Sequence, residues 1–208
     1  MNGSEVVAAV REAAATELDR LGSEKSLVAA TDAALEREAV LRAAAAAEAR
    51  ARDTFEAWAD DGGPGGEAFA AAAATERDHH ERVVALLDET PDAPDPDALH
   101  AYLRRLDAPP ERVGAGLVGR SMAAERSLLQ FVNFFVNEGA RSEADLFREL
   151  RSDTEATVET GAETLDAVCE TDEEYERARE AAVEAIGRAY SEYADSLEAM
   201  GVDPKPVC

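Results

Sequence analysis

Two stretches of this chain repeat one another, and the repeat constrains what the chain can fold into. Ala47-Glu48-Ala49-Arg50 is followed, fourteen residues after Glu48, by Gly62; Ala124-Glu125-Arg126 is followed, fourteen residues after Glu125, by Gly139. Phe55 and Ala59 of the first copy fall where Val132 and Val136 fall in the second. Beyond each glycine lies a further helical segment, with Glu76 placed 28 residues after Glu48 and Glu155 placed 30 after Glu125. Two copies of such a pattern predict two helical hairpins that pack on each other, because neither buries its apolar face alone.

The breakers divide the chain accordingly. A first helix is expected over residues 4–21, with Ser4 as its cap and Gly22 just past its end. A long helix beginning at residue 27 or 32 runs to 60, stopped by Asp61-Gly62-Gly63-Pro64-Gly65-Gly66, and another follows over 67–89. Residues 90–110, rich in proline and holding a short amphipathic piece at 97–106, suit a crossover between opposite ends of a bundle. Helices are then expected over 111–137, 142–169 and 172–200. Strand alternation is missing throughout. The chain therefore reads as all-α and as one domain over 1–208. It comprises an N-terminal helix (1–26), a four-helix bundle with a long crossover between its second and third helices (27–170), and a C-terminal helix and tail (171–208).

Ionisable residues sit on the faces that should be hydrocarbon. The inward stripe of the second bundle helix runs Phe69, Ala72, Glu76, His79, Val83, Leu86, so a carboxylate and an imidazole lie one turn apart. That spacing can offer one oxygen and one nitrogen to a metal ion. Glu48 is central on the stripe Leu41, Ala44, Glu48, Ala51, Phe55, Ala59, and Glu125 on the stripe Val118, Met122, Glu125, Leu128, Val132, Val136. Such carboxylates are costly if left ionised and unpaired; a metal ion or a shared proton relieves the cost. The fourth helix is less regular. Its stripe runs Phe147, Leu150, Thr154, Val158, Gly161, Leu165, leaving Glu155 to one side and Val158 three residues beyond it.

Charge narrows the partners. The formal charge is −24, from 45 acidic against 21 basic residues, and Lys25 and Lys205 are the sole lysines. A surface of this kind resembles the proteins of salt-loving archaea, where dense carboxylates keep proteins dispersed. It excludes nucleic acid and anionic lipid as ready partners, and no stretch is apolar enough to span a membrane. A cytoplasmic protein is expected, with Cys169 and Cys208 too few for a thiolate metal site. Phe131, Phe134 and Phe135 surround more of their helix than one core face needs, which would allow a homodimer.

On these residues the chain resembles the ferritin-like superfamily and, within it, the rubrerythrin family without its rubredoxin module. The resemblance covers roughly residues 32–169. It rests on Glu48 within Ala-Glu-Ala-Arg-Ala-Arg-Asp-Thr-Phe, on Glu76 and His79 as Glu-x-x-His, and on Glu125 and Glu155 in the second copy. It implies Glu48, Glu76, His79, Glu125 and Glu155 as metal ligands, with iron or manganese, dinuclear or absent, as cofactor. The implied activity is that of a di-metal oxidase or peroxidase in oxidative stress defence. The alternative is a bundle that kept the fold, gave up catalysis and acts as a binding or scaffold protein. Val158 stands where the second histidine would be, and Leu128 where a further carboxylate is frequent.

Overall fold

The computed structural model describes residues 1–205; the last residues, Cys208 among them, lie outside it. The described residues are helical and hold no strand. The first helix is capped by Asn2 rather than Ser4: its side chain accepts from the Glu5 amide, and the Glu5 carboxylate accepts from the Asn2 amide. It breaks at Ala14 into α1 (Gly3–Ala13) and α2 (Ala15–Leu21), so that α1 lies on one bundle helix and α2 on another. After α3 (Lys25–Ala30), Asp32 and Ala33 take left-handed φ values of 49° and 63°, which no α-helix continues through. The long helix α4 (Arg37–Asp61) therefore starts later than expected, and it ends at Gly62. The next, α5 (Gly66–Val84), closes earlier than residue 89 as its bonds tighten to i→i+3. The crossover contains α6 (Ala98–Leu103), capped by Asp97, and α7 (Pro109–Arg112).

The expected helix 111–137 is not uniform. Val113–Arg120 is a π-helix, and α8 (Ser121–Asn137) continues from it, followed by α9 (Arg141–Val168) and α10 (Asp172–Ala199). α4 pairs with α5, and the π segment and α8 pair with α9; the two hairpins meet through α5 and α9. α10 is no appendage: it lies along the π segment and also touches α1, α2, α3, α6 and α7, with Ala178, Ala182, Ala185 and Ile186 fully buried.

The interior divides into two apolar clusters. One holds Phe55, Trp58, Phe69, Leu117, Val118, Val158 and Ile186; the other holds Val40, Leu41, Val83, Phe131, Phe135, Phe147 and Leu150. Phe147 stacks between Phe131 and Phe135, with ring centroids 5.4 and 5.2 Å away, so both of those phenylalanines belong to the core. Glu48 on α4 and Glu76 and His79 on α5 fall along each helix between the residues of one cluster and those of the other. The polar belt is thus at mid-bundle.

Glycine lets the π segment lie close against α10. Gly114 and Gly119 are five residues apart, one π turn, and both face α10. A Cβ on Gly114 would lie 2.1 Å from the Ala178 carbonyl oxygen, and one on Gly119 2.4 Å from that of Ala182. Because the obstacle is backbone, it cannot rotate away. Gly114→Ala should lower unfolding free energy by about 1–3 kcal/mol through forced separation of the helices, read as an earlier denaturant midpoint. An unchanged midpoint would mean that α10 does not pack this closely.

Candidate metal centre

The belt is assembled from four elements. α4 supplies Glu48, α5 supplies Glu76 and His79, the π segment supplies Arg120, and α9 supplies Asp153. Glu48, Glu76 and His79 are 3, 2 and 0 % exposed and each offers a ligand atom within 4.8 Å of the others. Nδ1 of His79 lies 3.7 Å from Oε2 of Glu48 and 3.9 Å from Oε2 of Glu76, while its Nε2 is 3.2 Å from Oδ2 of Asp153. Arg120, also buried, donates to Glu76: Nη1 is 2.5 Å from Oε1 and Nη2 is 3.5 Å from Oε2.

These contacts specify the imidazole's roles. With Nε2 donating to Asp153, the neutral ring presents a lone pair on Nδ1 to two carboxylate oxygens, and the protonated ring presents a second N–H there. At 3.7 Å Nδ1 makes an electrostatic contact with Glu48, not a hydrogen bond, and it is a buried nitrogen without a partner. This convergence of donor atoms calls for a cation between them, a proton on Nδ1 or a metal ion. Metal–ligand bonds of about 2.0–2.2 Å place neighbouring donor atoms roughly 3.0–3.4 Å apart, so the two separations from Nδ1 are a few tenths of an ångström longer than ligation of one ion needs. A carboxylate that holds the far side of a ligating histidine is the usual support for such a ring.

Charge at the belt is tightly coupled. Burial and the neighbouring Glu48 carboxylate push Glu76 up to about 8, against the pull of Arg120 and His79. Burial also pushes Glu48 upward, but bonding to Glu76 and the charges of His79 and Arg120 outweigh it and hold Glu48 down at about 2. The two carboxyls titrate as a pair that keeps one proton at neutral pH, so one negative charge faces the Arg120 cation. Burial lowers His79, but the Glu48 and Glu76 carboxylates and Asp153 raise it overall. A divalent ion would enter by displacing these protons.

Of the residues expected to ligate, Glu48, Glu76 and His79 come together. Glu125 is partly buried and ion-paired with Arg151 of α9, and Glu155 is exposed, so neither joins the group. Within α8 the buried face is centred on Leu128, Phe131 and Phe135, which leaves Glu125 at its edge, and Glu76 is engaged by Arg120 of the π segment instead. Val158 lies in an apolar cluster, and His80 is turned toward Arg52, with Nδ1 3.5 Å from Nη1. Arg120 and Asp153 escaped the sequence reading. An arginine inside the apolar run Val113 to Ala124 was the signal for the first; nothing in α9's pattern distinguished the second from its neighbours.

A groove of about 490 Å³ between α5 and α9 runs over the site, lined by Ala68, Ala72, Thr75, Thr157 and Thr160, with His79 and Asp153 in its wall. Asp153 is 52 % exposed there, so solvent reaches the Nε2 side of the centre. No described helix is long and apolar enough to cross a membrane. Comparison with protein-family models, curated proteins and solved structures gives no match.

Proposed function

We propose that the chain is a ferritin-like metal-binding bundle that holds one divalent first-row ion, iron or manganese, between Glu48, Glu76 and His79. The observation that supports this most is the buried, unpartnered Nδ1 of His79, which faces two carboxylate oxygens while Nε2 engages Asp153. The centre is mononuclear in this reading. A second ion would need carboxylates from α8 and α9, where Glu125 is paired with Arg151, Glu155 is exposed, and Arg120 already occupies Glu76. Two hard oxygens and one imidazole suit iron or manganese, and three protein ligands leave positions open for a small molecule. Bound there, the ion would supply Lewis-acid and one-electron chemistry, and reduction of peroxide or dioxygen is the reaction class proposed. The protein's own part is to exclude bulk water, to hold His79 in one tautomer through Asp153, and to keep one Glu76 oxygen engaged by Arg120.

The competing reading is a bundle whose buried charges serve structure alone. The Arg120 to Glu76 bond favours it, because a guanidinium already offsets that carboxylate. Anaerobic titration of iron(II) and manganese(II) into chelator-treated protein separates the two. About one ion per chain is expected for the parent, and loss of saturable binding for Glu48→Gln. Absence of saturable binding in the parent would leave the structural reading standing.

The pH dependence has a definite sign. The raised Glu76 carboxyl stabilises the metal-free fold fully below its ordinary value of 4.5, and that contribution is lost as pH rises through about 8. Metal binding runs the other way. Since at least one proton must leave, affinity should rise by roughly tenfold per pH unit until the pair is ionised near pH 8. Titrations at stepped pH would read this directly, and a flat profile would contradict proton displacement.

A further inference from the structure

Arg120 also lines a second cavity, of about 460 Å³, set among α3, α4, α6, α8 and α10. Its volume is that of a small-molecule site, and alanines from several helices (Ala29, Ala46, Ala123, Ala189) with Leu99 and Phe131 supply much of the wall. The wall also contains His100, from the crossover helix, only 4 % exposed.

The imidazole of His100 is held in one orientation. Oδ1 of Asp97 accepts from the His100 backbone amide at 2.8 Å and from Nδ1 at 2.7 Å. Asp97 is itself held by Arg50, whose Nε is 3.6 Å from Oδ2. Nδ1 therefore carries the proton, and burial keeps the ring on the neutral side, against the pull of Asp97. Nε2 is left as a buried lone pair with no partner. The hydroxyls of the wall are already engaged: Ser26 with Ser127, Ser196 with the Ala29 carbonyl, and Tyr193 with the Pro204 carbonyl. The cations are answered as well, Arg50 by Asp97 and Arg120 by Glu76. Two further wall carboxylates, Asp32 and Glu192, lie exposed at the rim, so among the described residues a charged guest would find no free counter-charge in the buried part of the cavity, whereas a hydrogen-bond donor that reaches Nε2 would find an acceptor.

We propose that this cavity is a binding site for a small neutral molecule of the alcohol or phenol class, its apolar body against the alanine wall and its hydroxyl donated to Nε2 of His100. The site is independent of whether a metal binds at Glu48, Glu76 and His79.

The test uses the full chain, with 4-ethylphenol and its methyl ether 4-ethylanisole as probes of nearly equal apolar body. Calorimetric titration should show saturable binding of the phenol, accompanied by a shift of the His100 Nε2 resonance in histidine-labelled protein. The ether, which leaves the buried acceptor unpaired, should bind about tenfold or more weakly. His100→Phe, similar in volume but without the acceptor, should abolish the discrimination; Ala46→Leu, which fills the cavity and leaves His100 in place, should weaken both probes. The proposal is overturned if the parent binds the phenol without saturation, if phenol and ether bind equally, or if the preference survives in His100→Phe. The comparison of probes on the parent decides the matter even if a variant fails to fold.

Discussion

Replacing Arg120 with methionine should destabilise the metal-free protein by about 3–5 kcal/mol at neutral pH, because it leaves buried carboxyls without their cation. Arg120 is 4 % exposed and its guanidinium spans both oxygens of Glu76, so neither water nor another cation replaces it. The deficit should grow further as pH rises through about 8, where Glu76 gives up its proton and a second buried carboxylate is left without the guanidinium. The same change should help a divalent ion. With a neighbouring positive charge gone, affinity should tighten by about tenfold or more. Iron(II) or manganese(II) at a hundredfold over the dissociation constant should then restore about 2.7 kcal/mol. Denaturant titrations of parent and Arg120→Met with and without metal read all of this. A variant that is destabilised but not rescued would assign the belt to structure alone; one as stable as the parent without metal would contradict the buried ion pair.

The second large effect belongs to His79 and the residue behind it. His79→Leu removes the only nitrogen donor of the group while keeping an apolar side chain in the stripe between Glu76 and Val83, so metal binding should fall by at least about a hundredfold with the helix intact. Asp153→Asn, on a half-exposed side chain, should leave stability within about 0.5 kcal/mol yet lower metal affinity by about 10–100-fold. The reason is that an amide can bond Nε2 from its oxygen or offer it an N–H, so Nδ1 is no longer held as the lone-pair nitrogen. Parallel dialysis of parent, His79→Leu and Asp153→Asn against a fixed concentration of manganese(II) would rank them. Equal loading of parent and Asp153→Asn would show that Asp153 does not position the ring.

Helical periodicity worked well wherever the helix is a plain α-helix. Leu41, Ala44, Glu48, Ala51 and Phe55 on α4, and Phe69, Ala72, Glu76, His79 and Val83 on α5, are buried as 100° counting requires, so the trio was legible residue by residue. The α9 stripe from Phe147 to Leu165 was legible for the same reason. Counting failed at Glu125 because its stripe ran through Val136, which is 49 % exposed, whereas the buried face of α8 is centred on Leu128, Phe131 and Phe135. The π winding of Val113 to Arg120 was not legible either; its glycines Gly114 and Gly119 lie against Ala178 and Ala182, far along the chain.

Local pattern determined the all-helical chain, the two hairpins, the crossover and the Glu48, Glu76 and His79 face, because amphipathic period and breakers are properties of neighbouring residues. Tertiary structure decided the rest. Asp153 and Glu155 flank the same stripe of α9, and only the way α9 packs against α5 makes Asp153 the one that meets His79. The same holds for Arg120 in place of a carboxylate, for α10 as part of the core, and for the cavity that closes over His100. Each depends on which helices come into contact, and that is fixed by packing between segments distant in the chain rather than by the order of residues within any one of them.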